Sequence, residues 1–206
     1  GDPNGILLKT LRYLRDAKLQ VTAANHEFCP GQFEINLNHT ELVDAADRAF
    51  RMKSAVQEVA RHEGMLATFM GRPFADQGGS GFHVHLSLND ANGMNAFADE
   101  GGPAGLSPLA ANFIAGLIDH AQGLQAILGP TINSYKWILP DSLAPTHANW
   151  GHDNRTAFCR VPTERGARAR VEVRTADGAA CPHLITAALL LAGLDGIERG
   201  LTAPEP

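Results

Sequence analysis

The chain has 206 residues, 44% of them hydrophobic and 19% charged, a composition that builds one domain around a sizeable core and excludes wholesale disorder. Lys and Arg total 17 against 22 Asp and Glu, a formal charge of −5 with no basic block, which removes the electrostatic case for nucleic acid as the main ligand. No apolar run reaches membrane-spanning length, and Cys29, Cys159 and Cys181 are too scattered for a disulfide framework or a C-x-x-C site, so no membrane association and a reducing cytoplasm are expected.

Taken in order, Ile6 to Lys18 reads as a helix, and Val21–Glu27 and Gln32–Leu37 as two short strands about Cys29-Pro30-Gly31. Pro fixes one torsion of that turn and Gly supplies a positive φ. Leu42, Ala45, Ala49, Met52, Val56 and Val59 recur in steps of three and four, predicting a second helix capped by Gly64. A strand is expected at Leu66–Met70, then a Gly- and Pro-rich loop, a strand over Gly79–Leu88, and a turn at Asn89–Gly93. Ser107-Pro108 is a helix start whose buried side, Leu109 to Leu128, runs until Gly129-Pro130. Residues 130–155 read as an irregular loop, Ala157–Val161 and Arg168–Arg174 as short strands, and Pro182 opens a helix to about Ile197. Long helices beside short alternating strands predict an α+β domain, with a curved, mainly antiparallel sheet and helices on one side.

Three clusters carry chemistry. In Gly79-Ser-Gly-Phe-His-Val-His-Leu-Ser-Leu88 the period of two puts His83, His85 and Ser87 on one face and Phe82, Val84, Leu86 and Leu88 on the other. A hairpin centred on Pro30-Gly31 sets Glu27 directly opposite Glu34, with Cβ atoms about 4.5–5.5 Å apart. Carboxylates so close repel unless one is protonated or a cation lies between them, and Mg²⁺ or Mn²⁺ is the hard cation that oxygen ligands favour. A solvated hairpin of different register is the plainer alternative. In Arg168-Ala-Arg-Val-Glu-Val-Arg174, Arg170, Glu172 and Arg174 share a face, and the nearby Arg155 and Arg160 add groups that grip carboxylates and phosphates.

Together these motifs resemble the catalytic domain of the glutamine synthetase family, including its γ-glutamyl–amine ligase branch. The resemblance rests on His26-Glu27 with Gly31-Gln-Phe-Glu34, Ala67-Thr-Phe-Met70, Gly79-Ser-Gly-Phe-His-Val-His85, Asn133-Ser-Tyr-Lys136, Asn154-Arg-Thr156, Arg160-Val-Pro162, Arg170-Val-Glu-Val-Arg174 and Ala187–Ile197, in family order across the chain. It implies an ATP-dependent ligase that converts the γ-carboxylate of glutamate, or a related acid, to an acyl phosphate and then to an amide with ammonia or an organic amine. By that likeness Glu27 and Glu34 would hold one Mg²⁺ or Mn²⁺, while His83 and Glu172 would contribute to a second. His85, Ser87, Arg160 and Arg170 would face the nucleotide. Arg155 would steady the phosphoryl group in transit, Arg174 would contact the acyl substrate, and Gly79 and Gly81 would let backbone approach it. A homo-oligomeric ring, completed by a smaller N-terminal β-grasp domain, is also implied.

Three positions depart from the ammonia-using members: Trp137 stands where they carry Arg, Leu143 where they carry Glu in the flap loop, and Gly78 where they carry Asn. All lie on the substrate side, which points to an organic amine acceptor or an altered acid. The chain opens on Gly1 rather than Met and is expected to be one catalytic domain, residues 1–206, lacking the β-grasp domain and the first catalytic strands, and inactive alone. A non-catalytic structural or ligand-sensing relative is the competing reading, and a guanidino-kinase-like phosphotransferase a third.

Overall fold

The computed structural model describes residues 2–139 and 144–206. Helix α1 (Ile6–Asp16) leads into the hairpin of β1 (Val21–His26) and β2 (Phe33–Leu37), and α2 (Leu42–His62) follows, ending before Gly64 at φ +69° as its spacing predicts. Leu14, Leu19 and Met52 close a small apolar cluster between these helices and the hairpin.

The main sheet has four strands in the order β3, β6, β5, β4: β3 (Val84–Leu86), β4 (Trp150–His152), β5 (Cys159–Val161) and β6 (Val171–Val173). β3–β6 and β6–β5 are antiparallel, while β5–β4 is parallel. One cross-strand row runs Val84, Val173, Cys159, Trp150, and the adjacent row runs His85, Glu172, Arg160, Gly151. Alternation therefore sends the first row into the core, where Val173 and Cys159 are fully buried, and the second to the opposite face. Behind the core side lie α3 (Pro108–Asp119), α4 (Ala121–Leu128) and α5 (Pro182–Glu198), contributing Phe113, Ile114, Leu117, Leu128, Ile185 and Leu189 to the core. The Ser107 hydroxyl caps α3 by accepting from Ala110 N at 3.2 Å.

The α+β class holds, with five local corrections. Leu66–Met70 carries no regular secondary structure and forms no ladder among the described residues, and a strand without a partner is not a strand. The histidine strand contracts to Val84–Leu86, the only part of Gly79–Leu88 that pairs with β6. The long third helix divides at His120, whose backbone turns out of helical geometry (ψ 2°) and whose ring bonds Asp195 at 2.7 Å. The loop over residues 130–155 contains a short 3-10 turn at Ile132–Lys136 and strand β4. The hairpin register also differs: Glu34 pairs with Asn25, and Glu27 N donates to Gln32 O at 2.9 Å. The Pro30-Gly31 turn forms, with Gly31 at φ +71° and Gln32 N bonded to Cys29 O, but Phe28 is left in the loop, so Glu27 sits diagonal to Glu34.

Candidate active site

The polar row of the main sheet and the β1–β2 hairpin line one broad cleft. Its walls include Glu27, Glu34, His83, His85, Ser87, Arg155, Arg160, Arg170, Glu172 and Arg174, with Gly79 and Gly81 on the loop between. Every predicted site residue thus opens onto a shared cavity.

Glu172 is the hub of the sheet face. It is 2% exposed, and its carboxylate accepts Arg174 Nη1 at 2.5 Å on one oxygen and Arg160 Nη1 at 2.5 Å on the other. Burial works against its charge, but the Arg160 guanidinium and the charges of His85 and Arg174 outweigh it and hold the carboxyl below its ordinary pKa. His83 Nδ1 lies 3.4 Å and His85 Nε2 3.9 Å from the same carboxylate. Desolvation along the cleft wall, reinforced by the Arg174 charge, pushes His83 down to about 4, and His85 is lowered for the same first reason. Both imidazoles are therefore mainly neutral near pH 7; the acceptor nitrogen of His85 is taken by Arg170, whereas that of His83 can ligate.

On the hairpin, Asn25 Nδ2 donates to Glu27 Oε1 at 3.0 Å and Asn36 Nδ2 to Glu34 Oε1 at 2.9 Å. The two carboxyls lie close enough to perturb each other's titration. Burial raises Glu27, and the hydrogen bond and charge of Glu34 raise it further. Burial pushes Glu34 upward as well, but the bonds from Glu27 and Asn36 and the His83 charge bring it below its usual value. The pair titrates unevenly, Glu27 holding its proton more tightly than Glu34. A divalent ion between these carboxylates would offset their mutual repulsion, so the donor set fits a hard cation. Glu34 and His83 lie close enough to influence one another's titration, and there the acidic hairpin meets the sheet face.

The remaining residues fall into place around these. Arg174 Nε holds the Arg155 carbonyl at 2.8 Å, leaving the Arg155 side chain at the exposed rim. Arg170 Nε donates to His85 Nδ1 at 3.2 Å and pairs with Glu164. Ser87 is exposed on the same wall. A Cβ on Gly79 would fall 2.6 Å from Trp137 Cβ and 2.8 Å from Gly71 O, so that position requires glycine by close approach, whereas one on Gly81 would meet only the movable tip of the His83 ring, at 2.9 Å from Nε2. Trp137 is 8% exposed and packs behind that loop. Leu143 lies outside the described residues.

Sequence reasoning missed Asp153, which receives Arg160 Nε at 3.0 Å and Nη2 at 2.5 Å, and Gln32, whose Nε2 donates to Gly79 O at 2.9 Å. Gln32 had a signal, its place inside the Gly31-Gln-Phe-Glu34 motif; Asp153 had none in spacing. Among the described residues, the one cluster of three His, Asp or Glu groups with ligand atoms within 4.8 Å is Asp119, His120 and Asp195, on the outer helices and already bridged by Arg199.

Known proteins share this sequence and fold. The family model described as glutamine synthetase, catalytic domain, matches residues 4–206. The chain is 42% identical over 201 residues to a glutamate–isopropylamine ligase of a Pseudomonas species, covering 98% of this chain and 44% of that protein. It is 41% identical over 194 residues to the glutamine synthetase of Methanocaldococcus jannaschii, covering 94% and 42%. Among solved structures it is similar to GmaS in an ADP complex, with TM-score 0.90, 39% identity, and 99% and 47% of the two chains covered. GmaS without ligand superposes with TM-score 0.88 and 40% identity over 97% and 46%. The chain spans less than half the length of these relatives.

Proposed function

Because the chain belongs to the glutamine synthetase family through its catalytic domain, we propose that the protein containing it is an ATP-dependent carboxylate–amine ligase. A carboxylate oxygen of glutamate or a related acid attacks the γ-phosphorus of ATP, ADP leaves, and the amine nitrogen then attacks the acyl carbon and expels phosphate. The observation that carries this reading is the meeting of the Glu27–Glu34 pair with the His83–Glu172–arginine face in one cleft.

Each side chain has work in that scheme. Glu27 and Glu34 would hold one divalent cation, and neutral His83 with Glu172 would contribute to a second. Such cations offset the charge that gathers on the transferred phosphoryl group. His85, Ser87, Arg160 and Arg170 line the wall where nucleotide phosphates and ribose would lie. Arg155 at the rim is free to follow the phosphoryl group, while Arg174, pinned by Glu172 and the Arg155 carbonyl, offers a fixed cation to the acyl substrate. Mg²⁺ or Mn²⁺ matches the hard oxygen donors.

Acceptor choice follows from the other wall. Trp137 places a large apolar ring behind Gly79 where the ammonia-using members of the family carry a cation, which supports an organic amine, or an altered acid, in place of ammonia with glutamate. The glutamate–isopropylamine ligase among the relatives is consistent with that preference. A cytoplasmic ring in which upstream segments complete the cleft is part of the same reading, as is the inactivity of residues 1–206 alone; no helix among the described residues is long and apolar enough to cross a membrane.

The test is phosphate release by the full-length protein with ATP across a panel of acids and amines. Turnover with a short alkylamine exceeding that with ammonia is the expected result. Equal or faster turnover with ammonia and glutamate contradicts the altered acceptor, and no release with any pair favours the non-catalytic reading.

A further inference from the structure

Gln32 sits between the two acids of the hairpin, its backbone paired with Glu27 and its position two residues before Glu34. Its side chain does not turn to either carboxylate. The amide Nε2 crosses to the Gly79 carbonyl at 2.9 Å, and the amide oxygen accepts from Cys29 N at 3.4 Å. A second tie runs beside it: Gly78 N donates to Cys29 Sγ at 3.0 Å. The opposite side of the same loop is fixed by Ser80 N bonded to Gly71 O at 2.7 Å and by Trp137, whose Cβ occupies the space a Gly79 side chain would need. Farther along, Gly81 lies against the His83 ring, whose Nε2 is 2.9 Å from where a Cβ on Gly81 would sit. A shift of the Gly78–Gly81 loop therefore moves against His83 on one side and Trp137 on the other.

We infer that Gln32 is a positioning residue: its amide clasps the glycine loop to the acidic hairpin and sets where that loop presents its backbone to the carboxylic acid substrate. The inference rests on the ligase reading and adds a residue to it. An amide suits the task because it donates to one backbone group and accepts from another in a single planar unit. Loss of the donor leaves the Gly79 carbonyl without this partner and leaves the loop tied to the hairpin through Cys29 Sγ alone.

The test compares Gln32→Met, which keeps length and volume without the amide, and Gln32→Glu, which keeps the acceptor for Cys29 N but has no donor when ionised. In the full-length protein both should raise KM for the acid about tenfold, the loss of one well-placed hydrogen bond, while KM for ATP stays within about twofold. Should Gln32→Met fail to fold, Gln32→Glu carries the comparison. Hydrogen exchange at the Gly78 and Ser80 amides gives a readout independent of turnover, and it should speed up in the variants. Unchanged KM for the acid together with unchanged exchange overturns the inference, as does an equal rise in both KM values. Failure of the ligase reading would show separately, as no phosphate release by the unsubstituted protein, with the exchange measurement still deciding the role of Gln32.

Discussion

His83 shows how one cleft sets the state of a side chain. Its ring stands against Glu172 at 3.4 Å, yet desolvation and the Arg174 charge overcome that attraction and bring it to about 4. In the metal-free protein the folded state then holds His83 neutral where an unfolded histidine, with a pKa of about 6.5, has already taken a proton. Between those values the unfolded chain binds more protons, so this residue's contribution to stability is present above about pH 6.5 and is lost as the solution is acidified toward pH 4. Denaturant midpoints at pH 7 and pH 5 should fall further apart in the unsubstituted protein than in His83→Gln, and the ring should titrate well below pH 6 by NMR. A titration near pH 6.5 would remove the desolvation argument. Glu172 is a different case: with two guanidinium groups on its oxygens it is balanced without any metal, and the share in a second cation site proposed for it would require one of those bonds to open.

At the scale of elements, α3 and α5 cross where Gly116 and Gly196 meet: a Cβ on Gly116 would lie 2.2 Å from Ala192 O and 2.8 Å from Gly196 Cα. Gly116→Ala must force the helices apart behind the sheet and should cost about 1–3 kcal/mol, read by chemical denaturation; an unchanged midpoint would mean the crossing is looser than described. The helices were legible in sequence because apolar steps of three and four and the Ser107-Pro108 cap are local signals. The polar row was legible for the same kind of reason, since alternation alone puts Arg170, Glu172 and Arg174 on one face. What lies beyond local signals was lost. Leu66–Met70 has strand composition, but strand status depends on a neighbour. The hairpin turn was readable from Pro30-Gly31, whereas its register turned on whether Phe28 joined the ladder or the loop. That choice moved Glu27 from directly opposite Glu34 to a diagonal position without breaking the carboxyl contact.

For the molecule as a whole, two separately built units, an acidic hairpin and the polar face of a four-stranded sheet, meet at Glu34 and His83 to wall one cleft. The glycine loop between them is held by Gln32 on one side and Trp137 on the other, so acid, nucleotide and cation would be gathered by parts that share few contacts of their own. The pair of hairpin acids is where the first proposed cation would bind. Calorimetric titration of Mn²⁺ into the full-length protein in the presence of ADP, compared with Glu34→Ala, tests it most directly. Saturable binding weakened about tenfold or more by the substitution is the predicted result; affinity for Mn²⁺ that is unchanged in Glu34→Ala would contradict it.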